Sequence, residues 1–224
     1  MSGVGLVKPE IGGDLVRVHR AITRAVGVAQ EQGAAYAPAG YPNAGTEEGY
    51  LTYVRCLVIL LHGHHTTEDE SMFSLLRDKL PQAPYDALRA QHRTMLPILD
   101  EIEAARVEAV SPAPSRGLKA LVRALARIGD LWEAHIALEE AHFGPEAIGA
   151  YLTMAERRRM GGTVSRNAAT HQRPFSLMLA FFLYNMVPED RAVMAQMIPG
   201  VANLLLALWK PRWRVMAPFL LLED

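Results

Sequence analysis

The chain has 224 residues, half of them hydrophobic, and its 23 Lys and Arg nearly balance its 24 Asp and Glu, for a formal net charge of −1. That length suits one large domain, or a core domain with an added segment, and the balanced charge gives no reason to expect nucleic acid or an anionic membrane as partner. A single cysteine, Cys56, excludes an internal disulfide framework and cysteine-rich zinc or iron–sulfur sites.

The first stretch, "MSGVGLVKPEIGGD", has neither a basic n-region nor an apolar h-region, so no secretory signal is expected. The long segments that follow carry apolar residues at helical spacing, and no period-2 strands stand out. Asp14 is the expected N-cap of a first helix, "LVRVHRAITRAVGVAQEQG". After the loop "AYAPAGYPNAG", Thr46 with Glu47 and Glu48 opens a second helix that runs to Pro81. Gly63 lies inside it, at a cost of about 1 kcal/mol relative to Ala. Pro84 suits the first turn of a third helix, which ends at "SPAPS". Pro97 should kink that helix, because it lacks an N–H and crowds the preceding turn. Ser115 is the expected cap of a fourth helix, "RGLKALVRALARIGDLWEAHIALEEAHF", closed by Gly144-Pro145. Four long helices with short connections imply an all-α fold, an up-down four-helix bundle, over residues 1–146.

Residues 147–224 are expected to form a C-terminal helical extension. Shorter helices, from 145 onward, should break at Gly161-Gly162, Pro174, Pro188, Pro199-Gly200, Pro211 and Pro218. "RPFSLMLAFFLYNMV" and "VANLLLALWKPRWRVMAPFLLL" are too apolar for a solvated tail. They are expected to pack on the bundle or to join subunits in a homo-oligomer; a lid over a substrate pocket is the sharper alternative. The apolar run Phe175–Val187 is interrupted by Ser176, Tyr184 and Asn185 and falls short of the roughly 20 residues of a spanning helix. The expected location is the cytoplasm.

Polar groups interrupt the apolar stripes of all four long helices. On the fourth, His135, Glu139 and His142 lie within roughly 60° of one another near the middle of the stripe, while Glu140 points away towards solvent. A buried carboxylate costs several kcal/mol unless it is paired or binds a metal. His135 and Glu139 are spaced i, i+4, which lets both reach one metal centre. The second helix repeats the theme twice, with His64 and Glu68 and with His65 and Asp69, and spacing alone does not choose between the pairs. His19 on the first helix and His92 on the third have apolar neighbours on their own faces. His62 and His171 read as ordinary hydrogen-bonded or solvated histidines, and His142 as a neighbour of the centre. Imidazole with carboxylate suits iron, manganese or zinc rather than calcium or magnesium. A zincin His-Glu-x-x-His is absent, and the Glu-x-x-His of ferritin-like bundles occurs only at Glu139-x-x-His142.

These residues resemble the hemerythrin-like, His-His-Glu cation-binding family of non-heme di-iron four-helix bundles. The match is carried by His19 in "VHRAI", His64 and Glu68 in "HHTTEDESMF", His92 in "RAQHRTML", and His135 and Glu139 in "HIALEEAHFGP", over roughly residues 14–146. In such proteins an aromatic residue lies five positions after the ligand glutamate. Phe73 stands there relative to Glu68, so the resemblance favours His64/Glu68 over His65/Asp69; the same count in the fourth helix gives Gly144, followed by Pro145. It implies two iron ions, with Mn or Zn as alternatives, bound by His19, His64, His92 and His135 and bridged by Glu68 and Glu139. One departure stands out: Leu96 occupies the position where an oxygen carrier has a further histidine. His65, His62 or solvent would have to fill that place.

The function implied is binding or reduction of dioxygen, peroxide or nitric oxide, in a carrier or in an oxidoreductase of peroxidase- or catalase-like or oxygen-activating type. A di-iron oxidase acting on an organic substrate enclosed by the C-terminal helices is one alternative. A metal- or redox-sensing interaction module is another.

Overall fold

The computed structural model describes residues 7–110, 116–198 and 201–222. All regular structure among the described residues is helical. The expected Ser115 cap, the "SPAPS" segment and the Pro199-Gly200 break lie outside them.

Helix α1 (Ile11–Tyr36) starts earlier than expected. Its N-cap is Glu10, not Asp14: the Glu10 carboxylate accepts from the N–H groups of Gly12 (3.2 Å) and Gly13 (2.6 Å). Asp14 sits in the first turn instead, where a carboxylate meets the positive end of the helix dipole, and it pairs with Arg17 at 3.0 Å. Helix α2 (Ala44–Thr67) is capped by Asn43 rather than begun by Thr46; Asn43 Oδ1 accepts from Thr46 N–H at 2.9 Å. It continues through a π-helical turn, Glu68–Met72, and one last α turn, Phe73–Leu76. Helix α3 (Tyr85–Glu108) runs unbroken across Pro97. Pro97 and Arg93, whose carbonyl loses its intrahelical donor, are both exposed, so water can satisfy the freed acceptor. Helix α4 (Arg116–Phe143) ends at Gly144, and Pro145 opens α5 (Pro145–Gly149).

Helix α1 packs against α2 and α4, and α3 packs against the same two. The apolar interior is divided. One cluster contains Ile22, Leu61, Met95 and Trp132; the other contains Leu15, Met72, Leu88 and Phe143. On each of the four helices the polar residues singled out above fall in the sequence interval between the two clusters.

Helix α6 (Met154–His171) opens with a capping box between Thr153 and Glu156 and packs against α1 and α2. It does not break at Gly161-Gly162. Gly161 lies where α6 crosses the start of α1, and a Cβ there would press on the backbone of Glu10 and Ile11. Arg157 fixes the crossing by donating to Glu10 at 2.7 Å. Pro174, Pro188 and Pro211 mark helix starts, at α7 (Phe175–Leu183), α8 (Pro188–Met194) and, after α9 (Ala202–Leu208), α10 (Lys210–Trp213). Pro218 instead sits within a closing 3-10 stretch, Arg214–Phe219. That stretch and α7 both pack on α2. Gly49 of α2 admits the approach, since a side chain there would collide with the Val215 carbonyl.

Asn185, 1% exposed, ties this region to α1 and α2. Its Oδ1 accepts from Tyr53 O–H at 2.6 Å and from Arg24, and its Nδ2–H donates to the Phe181 carbonyl at 2.8 Å. No single helix among the described residues is long and apolar enough to cross a membrane.

Candidate metal centre

Between the two apolar clusters lie His19 from α1, His64 and His65 from α2, Glu68 at the start of the π turn, His92 from α3, and His135 and Glu139 from α4, all buried. His135 and Glu139 are 0% exposed. Burial of seven ionisable side chains in one layer has to be compensated within the layer.

The two carboxylates are the hubs. Glu68 places Oε1 3.0 Å from His64 Nε2 and Oε2 3.4 Å from His92 Nε2. Glu139 Oε2 lies 3.2 Å from His19 Nε2 and 3.3 Å from His135 Nε2. Donor atoms of His19, His64, Glu68 and Glu139 fall within 4.8 Å of one another, and so do those of Glu68, His92 and His135. A third such group is His64, His65 and His135. Each carboxylate therefore faces one imidazole of the first group and one of the second. Yet the Nε2 atoms of His19, His64, His65, His92 and His135, and all four oxygens of Glu68 and Glu139, make no hydrogen bond of proper geometry. Buried nitrogen and oxygen atoms that converge on shared points without hydrogen-bond partners are what a cation requires.

The outward nitrogens are held separately. His19 Nδ1 is 2.8 Å from Glu140 Oε1, and His135 Nδ1 is 3.0 Å from Gln91 Oε1. His92 Nδ1 lies 3.2 Å from Asp69 Oδ1 as a charge contact without hydrogen-bond geometry, and Asp69 also meets Arg89 at 3.4 Å. An acceptor on Nδ1 keeps the proton there and leaves the Nε2 lone pair facing inward. His65, like His92, is buried with neither ring nitrogen hydrogen-bonded, and the two rings stack with centroids 4.4 Å apart.

Burial pushes the His64 and His65 imidazoles well below their ordinary range, and neighbouring imidazoles, His19 and His92 first among them, add to it. His92 is lowered by burial and by His135 against the pull of Asp69. Burial, with Glu139 nearby, raises Glu68 well above the usual carboxylate range. Burial opposes charge on Glu139 too, but His135 and His19 outweigh it and hold its carboxyl well below that range. Burial likewise opposes charge on His19, and Glu139 with Glu140 overcomes it, so its pKa rises. In the metal-free layer these shifts favour charge on His19 and Glu139 and oppose it on Glu68, His64, His65 and His92. Neutral imidazole is the form that binds metals.

Aromatic rings seal the layer. Trp132 packs against His19, His64, His65 and His135, and Phe73 stacks on His92 at 5.9 Å. The π turn at Glu68–Met72 interrupts the α-helical ladder beside this layer, and Phe73 N–H returns to the Glu68 carbonyl. Such turns recur at functional sites because they re-aim side chains.

Four other residues considered from the sequence behave differently. Asp69 is half-buried beside His92 and belongs to none of the three donor groups. His142 and His62 are half-buried and also outside those groups. His171 meets Glu70 at 3.1 Å, away from the layer. Conversely, Glu140 and Gln91 went unrecognised as partners of the layer. Glu140 was expected in solvent, but α1 packs along that side of α4 and brings His19 to it. Its pairing is between residues far apart in the chain, and no local spacing signals it.

The chemistry of the donor set, five imidazoles and two carboxylates with orphaned inward atoms, fits metal cations of the borderline transition series. The hemerythrin HHE cation binding domain, as a family model, matches residues 13–147. No curated protein matches the chain, and no solved structure does.

Proposed function

The chain belongs to the hemerythrin HHE cation-binding family, and on that premise we propose that it holds a pair of iron ions in the layer between its apolar clusters, within an up-down four-helix bundle. In this reading His19 and His64 serve one ion and His92 and His135 the other. Glu68 and Glu139 would hold both, since each faces an imidazole of both groups. His65 supplies the imidazole that α3 lacks at Leu96; Leu96 is 37% exposed, whereas His65 is buried beside His64 and His135.

A bound ferrous pair supplies electrons for binding or reducing dioxygen, peroxide or nitric oxide. The chain does the rest. Glu140 and Gln91 fix the rings of His19 and His135, Asp69 lies beside His92, and Trp132 and Phe73 keep bulk water off the imidazoles. The observation that carries the reading is the set of buried, unpartnered Nε2 and carboxylate oxygen atoms converging from four helices.

Metal analysis with an optical spectrum tests it. The purified or anaerobically reconstituted protein should contain about two irons per chain and show a near-ultraviolet band that shifts with azide. Iron below about one per chain after reconstitution would sink the proposal. A second reading, an oxidase of an organic substrate, is favoured by a cavity that the C-terminal helices form against α2.

A further inference from the structure

Helices α1, α2, α6 and α7 and the α8 end enclose a cavity of about 300 Å³. Its walls include His64, Thr67, Glu68 and Met72 of the second helix and its π turn, so it reaches the residues assigned above to the metal pair. From α1 it takes Ile11, Asp14, Leu15 and Val18, one helical stripe at i, i+3, i+4, i+7. Opposite them, α6 contributes Gly161, Val164, Ser165, Ala168 and Ala169. A helix laid on the bundle for stability alone would fill such a face with Leu or Ile; this one presents small residues, and the space remains. Buried Met178 and Leu179 form the floor, while exposed Ala169 and Phe175 mark the mouth.

The volume is at the small end of ligand sites and equals that of about ten waters of liquid. Its lining is mostly apolar, and the polar groups are few and specific. Ser165 Oγ already serves the Gly161 carbonyl, and Thr67 Oγ1 serves that of Gly63. Asp14 is 7% exposed; its Oδ1 is taken by Arg17, but its Oδ2 is buried without a hydrogen-bond partner. A mostly apolar chamber with an orphaned carboxylate oxygen at Asp14, away from the unpartnered His64 and Glu68 atoms assigned to the metals, selects a molecule with an apolar body and a donating head and disfavours an anion.

We propose that this cavity binds a small organic molecule, with an aliphatic or monocyclic body and a hydroxyl or amino head, placed beside His64 and Glu68. The position next to a metal pair rests on the functional reading above; the binding itself rests on the cavity alone. Such a molecule is the class of substrate or effector that this centre would meet.

Titration calorimetry on the metal-containing protein, with straight-chain 1-alkanols, n-alkylamines and alkanoates from butyl to decyl, tests it. Saturable binding of alkanols or amines is expected, tightening about fourfold per added methylene until the cavity is full, with alkanoates at least tenfold weaker. Whichever of the alkanol and amine series binds tighter identifies the head. Ala168→Phe fills the chamber and Ala169→Trp blocks its mouth; each should weaken binding at least tenfold with metal content unchanged. Ala169 is exposed, so its variant serves should Ala168→Phe not fold. No saturable binding in any series, or equal binding by variants that keep their metal, overturns the proposal. Metal content of each sample separates the two readings: alkanol binding by a protein that takes up no metal leaves the cavity assignment standing and removes the di-iron one.

Discussion

Glu140 Oε1 stands 2.8 Å from His19 Nδ1, while Glu139 Oε2 stands 3.2 Å from Nε2 of the same ring. Two consecutive residues of α4 thus grip the two nitrogens of one imidazole on α1. Glu140, 35% exposed in its side chain, is the reachable half of that grip. Glu140→Ala should weaken metal binding by about 10–100-fold, the usual cost of losing a partner to a ligating histidine, without unfolding the chain. Glu140→Gln, which keeps an acceptor oxygen, should retain most of the affinity. Competition against a chromophoric chelator reads both, and equal affinity in wild type and Glu140→Ala would refute the role.

Glu68 is the residue shared by the two main donor groups. Glu68→Gln should drop metal content from about two ions to at most about one per chain. The same change should make the metal-free protein more stable at pH 7, because it removes a buried carboxyl whose pKa burial raises. Opposite signs in metal analysis and in the apo melting temperature distinguish this from general damage.

His65→Ala should lower metal affinity or stoichiometry and change the azide-shifted spectrum. His62→Ala and His142→Ala, at half-buried positions outside the donor groups, should leave both unchanged. A spectrum unaltered in His65→Ala would return the fifth position to solvent.

Asp14 provides a pH test away from the metals. Burial is the main force lifting its carboxyl from 3.8 to about 6. The folded value lies above the unfolded one, so the folded chain holds more protons between them, and this contribution to stability falls as pH rises from about 4 to 6. Asp14→Asn should flatten that part of the stability profile and raise stability at pH 7 by up to about 3 kcal/mol. Chemical denaturation at pH 4, 6 and 7.5 measures it.

Asn185→Leu should orphan the Tyr53 hydroxyl and one of the Arg24 bonds. Stranded buried donors cost about 1–3 kcal/mol each, so the melting temperature should fall by roughly 5–10 °C. Metal content should persist, since Asn185 touches no residue of the donor layer.

The helices were legible because their apolar spacing is long and regular, and the inward turn of His19, His92, His135 and Glu139 follows from the same period. His64 and His65 could not be separated that way: adjacent positions differ by about 100°, and the interior is wide enough here to take both. The caps moved for a local reason. Glu10 reaches two glycine N–H groups that a spacing argument leaves outside the helix. Gly161-Gly162 looked like a break, but the glycines serve a helix crossing, and a close approach between distant segments leaves no local mark. Asn185 registered only as an interruption of an apolar run, since its partners, Tyr53 and Arg24, lie on other helices.

Trp132 sits with its ring centroid 5.5 Å from that of His19 and 5.6 Å from those of His64 and His135, its Nε1–H held by Thr23 Oγ1 at 2.9 Å. The other two tryptophans, Trp209 and Trp213, belong to the C-terminal helices. The protein therefore carries its own fluorophore against the imidazoles: cations that enter the layer should change the emission of Trp132, so that loading can be followed by light, without a label.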